Sequence, residues 1–270
     1  MFRILRHLIL GILSLFFIFP FVWMVITSFK PENEIFSNAF HFFPQNFTLI
    51  ENYTKAFKEN DLLHFLFNGF FVCFAILLIQ IIIAYPCAYA LSKYKFKGQK
   101  FLLIIIVCSL LIPTQAICVP WYILMYYFGV LDSYLALILP FSISVFGIFL
   151  IRQFINCIPN DIIYAARMDG LNEFSILCKI ILPLTTPALI SFGIFSIVAH
   201  WNDYFWPLIA VSSPQYFTPT LGVISFKNNE AGTDYGTLMA ASTIVVAPLI
   251  IGFLLAQKRF IQGIANTGIK

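Results

Sequence analysis

His200 and Asp203 stand three residues apart in an otherwise apolar stretch, within the run Ala199-His200-Trp201-Asn202-Asp203-Tyr204-Phe205-Trp206-Pro207. A carboxylate, a carboxamide and the aromatic faces of Trp201, Tyr204 and Trp206 are groups that hydrogen-bond and stack on sugar hydroxyls and rings. An ionisable side chain placed where lipid is the solvent costs ~2.5–3.5 kcal/mol, and it marks a functional position by default. Two plainer roles fit the same residues: an aromatic belt with Asn202 and Asp203 in wet headgroups, and structural hydrogen bonding to a neighbouring subunit. Elsewhere, catalytic chemistry is thin. The six cysteines, at 73, 87, 108, 118, 157 and 178, form no Cys-x-x-Cys pair and have no histidines at metal-ligand spacing. The tail from Gly263 to Lys270 begins like a phosphate-binding loop but lacks the Gly-Lys-Ser/Thr end that holds phosphate and magnesium.

A second segment carries docking rather than reaction chemistry. Tyr164-Ala165-Ala166-Arg167-Met168-Asp169-Gly170-Leu171, running on to Leu182-Pro183, is too polar for lipid and too apolar for water, so it needs a protein partner. Asn160 or Asp161 after Pro159 can cap a short helix, and Ile162, Ile163, Ala166 and Met168 give it an apolar side. Gly170 suits the left-handed residue that ends it. A second helix is expected from Asn172 and Glu173 up to Pro183. Adjacent Ala165 and Ala166 would let a partner approach closely. The plainer role is an amphipathic segment in the headgroup layer, supported by Phe174, Ile176, Leu177 and Ile180. It lacks the lysine- and arginine-rich face of such helices.

The elements that position these segments follow from composition. With 60% hydrophobic residues, 10% charged residues and a mean hydropathy of +0.90 over 270 residues, the solvent must be largely lipid. A span takes about 20 apolar residues, and six stretches qualify: 8–27, 66–91, 101–128, 134–151, 184–210 and 237–256. The first is too long for a signal-peptide core and is followed by no small-x-small site, so it is expected to remain as an anchored helix. Prolines at 86, 113, 120, 140, 183, 187, 207 and 248 invite kinks, with 183 and 187 expected to redirect the chain into the fifth span. The expected class is an all-α membrane protein with six transmembrane helices in a single domain.

Basic residues set the orientation. Arg3, Arg6, Lys93, Lys95, Lys97, Lys100, Arg152, Arg167, Lys179, Lys258, Arg259 and Lys270 fall on one side, which is 12 of the 16. Lys30, Lys55, Lys58 and Lys227 are the 4 on the other. Both termini and the segment 152–183 are therefore expected in the cytoplasm, with 30–65 and 212–236 as outer loops. The net charge of +4 reports topology and gives no ground for nucleic-acid binding.

Energy coupling is informative by absence. Five of the six spans contain no ionisable residue, and the fifth has only His200 and Asp203, which is scant equipment for a proton- or sodium-driven carrier. Energy for uphill movement would come from another subunit, and an ion-coupled secondary carrier is the rival from a different class. A membrane-embedded enzyme would need a clustered acid, base or metal site, and the sequence has none.

Tyr164-Ala165-Ala166, Gly170 and Ile180-Ile181-Leu182-Pro183 resemble the Glu-Ala-Ala, Gly, Ile-x-Leu-Pro loop signature of membrane subunits of ATP-binding cassette importers. Other stretches resemble the carbohydrate-uptake branch, in particular the smaller, maltose-permease-like partner of a two-permease pair. They are Ala199 to Ile209, Thr218-Pro219-Thr220-Leu221-Gly222 with Thr233 to Ala241, and Gln262-Gly263 with Gly268-Ile269-Lys270. The resemblance covers essentially the whole chain. It implies a type I ABC importer permease fold in a prokaryotic cell membrane, and a coupling helix at Tyr164, Ala165, Ala166, Asp169, Gly170 and Leu171. It also implies a second homologous permease, a dimer of cytoplasmic ATPase subunits and an extracytoplasmic sugar-binding protein. ATP and Mg would sit on the ATPase, with no cofactor on this chain. The cargo implied is a di- or oligosaccharide, with glycerol phosphate or another polar solute as the alternative. One departure stands out: Tyr164 occupies the glutamate's place, which shifts docking onto packing or onto Asp169 or Asp161.

Overall fold

Long apolar runs without internal charge give helices whose backbone polar groups are satisfied within the segment, the arrangement lipid requires. The computed structural model describes residues 2–37, 41–58, 61–224, 226–228 and 232–265. In chain order the helices are α1 (Phe2–Thr27), α2 (Glu32–Ile35), α3 (Leu49–Lys58), α4 (Leu62–Lys93), α5 (Gln99–Ser109), α6 (Thr114–Tyr127) and α7 (Tyr134–Ile138). They continue with α8 (Val145–Asn156), α9 (Asn160–Met168), α10 (Glu173–Ile176), α11 (Leu182–Trp201), α12 (Phe205–Ala210), α13 (Pro219–Ile224) and α14 (Tyr235–Ala265). An antiparallel pair of two-residue strands, β1 (Lys227–Asn228) and β2 (Gly232–Thr233), is the only extended element among the described residues.

Four helices are long and apolar enough to cross a membrane: Arg3–Thr27, Leu62–Lys93, Glu173–Trp201 and Tyr235–Gln257. The stretches 101–128 and 134–151, expected as single spans, are each broken. α5 and α6 meet at 101°, and Tyr134–Phe141 meets α8 at 43°. Proline accounts for both breaks. Ahead of Pro113 the amides of Leu110, Leu111 and Ile112 tighten onto the carbonyls of Val107, Cys108 and Ser109, and Pro113 has no amide to continue the ladder. Pro140 lies in a 3₁₀ turn, Leu139–Phe141, after which Ser144 Oγ starts α8 by accepting from the Gly147 amide at 3.0 Å. α8 then runs to Asn156, so Arg152, expected to open the cytoplasmic segment, is helical and donates to the Leu91 carbonyl at 3.1 Å.

Pro183 and Pro187 do not redirect the chain. α10, a π-helical turn at Leu177–Ile181 and α11 form one continuous helix from Glu173 to Trp201. The widened turn, in which the Leu182 amide reaches back to the Leu177 carbonyl, precedes Pro183 and gives its ring room on the helix. The fifth stretch ends at Trp201, short of the expected residue 210, and α12 is a separate short helix.

The chain divides into two compact units, residues 1–67 with 218–251 and residues 68–217 with 252–270. In the first, Asn52 Nδ2 donates to the carbonyls of Ser28 at 2.9 Å and Lys30 at 3.1 Å. Gly236 approaches so closely that a Cβ there would lie 2.7 Å from Asn52 Nδ2. Lys55 joins Glu51 at 2.9 Å and Asp234 at 3.6 Å.

The core of the second unit is built from α4, α8, α9, α10 and α11, with Ala84, Ala88, Ile151, Ile155, Ile181 and Phe192 among its buried members. Small residues allow close approach. A Cβ on Gly147 would lie 2.6 Å from Cζ of Phe192, a ring only 1% exposed. At another edge of this unit, Asn68 Nδ2 donates to the carbonyls of Gln215 and Phe217, each at 2.9 Å, and accepts from Tyr134 Oη at 2.7 Å. Asp132 accepts from the amides of Ser212 at 2.9 Å and Ser213 at 2.8 Å and from the Ser213 hydroxyl.

Gly147→Ala should lower the melting temperature of the detergent-solubilised protein, because overpacking costs roughly 1–3 kcal/mol and outweighs the ~1 kcal/mol by which alanine favours a helix. An unchanged or higher melting temperature would show that Phe192 yields. The Ser213 hydroxyl, followed by the Ser213 and Ser212 amides, holds the Asp132 carboxyl below its ordinary value. A depressed carboxylate stabilises above its unfolded pKa and is lost as pH falls through the folded value. Hydrogen exchange at the Ser212 and Ser213 amides should therefore show constant protection factors from pH 5 to 8, and Asp132→Ala should abolish that protection.

Candidate functional site

The loop helix α9 is held from three directions. Its start lies one residue before the expected cap: Pro159 occupies the cap position without a side-chain bond, and Asn160 begins the helix. Asn160, already inside the helix, uses its Oδ1 to accept from Lys93 Nζ at 3.1 Å, while the same ammonium also reaches the Ile158 carbonyl. Its end is closed by Gly170 at φ +83°, with the Gly170 amide on the Arg167 carbonyl and the Leu171 amide on the Ala166 carbonyl, both 3.1 Å. Asn172 Oδ1 then accepts from the Ser175 amide at 2.8 Å and starts the long helix.

The third restraint is Arg167. Its Nε donates to Glu173 Oε1 at 2.7 Å, and Tyr89 Oη donates to Glu173 Oε2 at 2.9 Å. The guanidinium lies over the rings of Tyr94 at 5.6 Å and Tyr164 at 6.0 Å. The Glu173 hydrogen bond, with Tyr94 adding, raises the Arg167 pKa further above its already high ordinary value. An ion pair this exposed contributes little to stability; its effect is to fix the angle between α9 and the helix that follows.

The apolar side of α9 differs from the expected set. Ile163 and Ala166 are buried at 2% and 3% exposure, whereas Ile162 and Met168 face outward. A helix turns about 100° per residue, so 163 and 166 share a face that 162 and 168 do not. The close-approach surface is therefore Ala165 alone, since Ala166 belongs to the core. Tyr164, Ala165, Met168, Asp169 and Gly170 form the outward face, with Leu171 partly covered.

The second group of expected residues divides. Trp201 is buried and meets Phe70 edge-on at 4.8 Å, and Trp206 is buried with Nε1 donating to the Ala136 carbonyl at 2.9 Å. Burial inside the chain removes both from an interfacial belt. Asn202 bonds back to the Val198 carbonyl at 2.8 Å and Tyr204 is half-buried; neither lines the cavity that Asp203 and Trp206 share. Asp203 starts α12, its Oδ1 accepting from the amides of Phe205 at 3.1 Å and Trp206 at 3.3 Å.

Asp203 and Trp206 line a cavity of about 760 Å³, together with residues the sequence does not bring together: Gln80 of α4, Gln115 and Trp121 of α6, and Ser196 and His200 of α11. The break at Pro113 forms part of this wall, through Ser109, Ile112 and Thr114. Trp121 is set edge-on to Trp206 at 5.6 Å and to Phe141 at 5.2 Å. Gln80, 3% exposed, donates from Nε2 to the Phe141 carbonyl at 2.8 Å and accepts at Oε1 from Ser196 Oγ at 2.7 Å. A lone glutamine in an apolar run was the one available signal for this wall, since a buried carboxamide must find partners.

Residues 80–266 match the family described as "Binding-protein-dependent transport system inner membrane component". The chain is 31% identical over 256 residues to the arabinooligosaccharides transport system permease protein AraQ of Halalkalibacterium halodurans, covering 94% of this chain and 91% of that protein. It is 33% identical over 254 residues to the probable ABC transporter permease protein YurM of Bacillus subtilis, covering 93% and 83%. In the crystal structure of a bacterial ABC transporter involved in the import of the acidic polysaccharide alginate, one chain matches with a TM-score of 0.85 at 23% identity, covering 96% of each. At that identity the likeness speaks of the fold, which is that of an ABC importer permease. By the extent of the family match, this chain belongs to the inner membrane components of binding-protein-dependent transport systems.

Proposed function

We propose that this chain is the translocation subunit of an ATP-driven importer of di- or oligosaccharides in a prokaryotic cell membrane. It crosses the membrane six times, counting each bent helix pair as one crossing, with both termini and the segment 152–183 in the cytoplasm. The loops 30–65 and 212–236 then face a sugar-binding protein outside. A homologous permease is its partner in the membrane, and a dimer of ATPase subunits holds ATP and Mg. This chain performs no covalent chemistry. The sugar assignment is supported by the name of the AraQ relative.

The observation that carries the coupling role is the braced helix α9. Its buried face is fixed in the core, its end is closed at Gly170, and its outward face presents Tyr164, Ala165, Met168 and Asp169. A rigid peg transmits a push; a surface helix adrift in headgroups does not. Neither lysine nor arginine lines the cavity, which disfavours glycerol phosphate as cargo. The tail residues 266–270, part of the resemblance, lie outside the described residues.

Reconstituted with the homologous permease, the ATPase and the binding protein of its system, the chain should support saccharide accumulation in proteoliposomes that stops on ATP withdrawal and persists with an ionophore. Uptake abolished by the ionophore and indifferent to ATP would establish an ion-coupled carrier instead. Gly170→Val adds a β-branched side chain at positive φ, a strain of about 1–3 kcal/mol, with open space around the new Cβ. The variant should reach the membrane and lose both transport and saccharide-stimulated ATP hydrolysis. Normal values of both would remove α9 from the coupling path.

A further inference from the structure

The hydrogen bonds around Gln80 fix the charge of the cavity wall. Ser196 Oγ and the Phe141 carbonyl together settle which end of the carboxamide is nitrogen. That nitrogen stands 3.3 Å from His200 Nε2. An amide nitrogen can only donate there, so His200 Nε2 accepts and the imidazole is neutral, with its proton on Nδ1. Neither lysine nor arginine is among the lining residues, and Asp203 is the one carboxylate among them. Its Oδ1 is taken by the Phe205 and Trp206 amides. Its Oδ2 has no hydrogen-bond partner among the described residues. The wall is therefore aromatic and amide in character, with one unspent negative acceptor and no cation.

We propose that this cavity is a saccharide site supplied by this subunit itself, and that it admits uncharged sugars while rejecting anionic ones. The proposal rests on the importer function above and names its substrate class. Asp203 Oδ2 accepts from sugar hydroxyls, Gln115 offers an exposed carboxamide with no hydrogen bond to another of the described residues, and Trp121, half-buried between Trp206 and Phe141, gives a stacking face. The volume of about 760 Å³ lies within the roughly 300–1,000 Å³ of small-molecule sites. A uronate or sugar phosphate would meet Asp203 as a like charge with no cation to offset it, in surroundings where charges interact more strongly than in water. This separates the chain by chemistry from a transporter of an acidic polysaccharide such as alginate, despite the shared fold.

Direct binding tests the proposal without a binding protein to impose its own selectivity. The full-length chain in lipid nanodiscs is examined by saturation-transfer NMR with lactose and arabinotriose as neutral probes, and with trigalacturonate and glucose 6-phosphate as anionic ones. Neutral probes should give transfer at millimolar concentration and anionic probes none. Asp203→Asn keeps an oxygen for the α12 amides, and it should weaken neutral binding about tenfold or more while admitting trigalacturonate. Gln115→Leu, which breaks no hydrogen bond among the described residues, should weaken neutral binding about threefold to tenfold, and it serves should Asp203→Asn fail to fold. Equal binding of anionic and neutral probes overturns the proposal. So does neutral binding unchanged in Gln115→Leu and in folded Asp203→Asn, or no binding of any probe. Each of these would leave ATP-driven saccharide uptake by the assembled importer standing.

Discussion

One uninterrupted helix, from Glu173 to Trp201, is the member on which the rest of the second unit depends. At 1.5 Å per residue it is about 40 Å long, enough to cross a bilayer. One end carries Glu173, which grips Arg167 and receives Tyr89. The other carries Ser196 and His200, which meet Gln80, and leads directly to Asp203. The loop helix and the cavity are thus fixed to opposite ends of the same rod. The rod gives α9 and the cavity wall one common support.

That rod survives two prolines, and the reason is local. Pro183 follows a widened turn, and Thr185 just beyond it is tied from the side: its Oγ1 donates to the Ile181 carbonyl at 2.8 Å and lies 2.7 Å from Tyr85 Oη. Pro113 and Pro140 instead sit at 3₁₀-type turns and mark the two bent pairs. The difference is functional geometry. Where the backbone stays helical the chain gains a strut; where it breaks near Pro113 it gains a wall of the cavity, and lining a cavity is one of the settings in which a membrane protein tolerates irregular backbone.

Sequence patterns reached some of this and missed the rest for identifiable reasons. Gly170 as a helix end and Asn172 as a helix start were legible because each is a local backbone requirement, a positive φ or a side-chain cap, that few residues meet. Which side of α9 is buried was not, because Ile162, Ile163 and Met168 are equally apolar and only the position of α4 and α8 chooses among them. The cavity was half legible. Asp203 stood out as a charge in lipid, but its partners come from residue 80 and from the bent pair at 109–121, and no periodicity within one stretch encodes such a meeting. Trp201 shows the limit from the other side: flanked by the same motif as Asp203, it turns into packing against Phe70.

The tyrosine at 164 follows from the same charge economy. A carboxylate there would sit three residues from Arg167, within side-chain reach on a helix surface, and would compete with Glu173 for the guanidinium. Losing the Arg167 to Glu173 contact would remove one restraint on the angle between α9 and the long helix and leave Tyr89 donating to a carboxylate with no countercharge. A tyrosine avoids that competition, since its ring shares the Arg167 cation with Tyr94. The outward surface then consists of Tyr164 at 53% exposure and Met168 at 83%. These are adaptable, largely apolar groups, and under the proposed assembly their complement is an apolar cleft, with Asp161 and Asp169 left at its rim. Under the proposed assembly, tyrosine in place of an acid moves the charge of the docking site from its centre to its edge, and it spares the intrachain ion pair that sets the angle of α9.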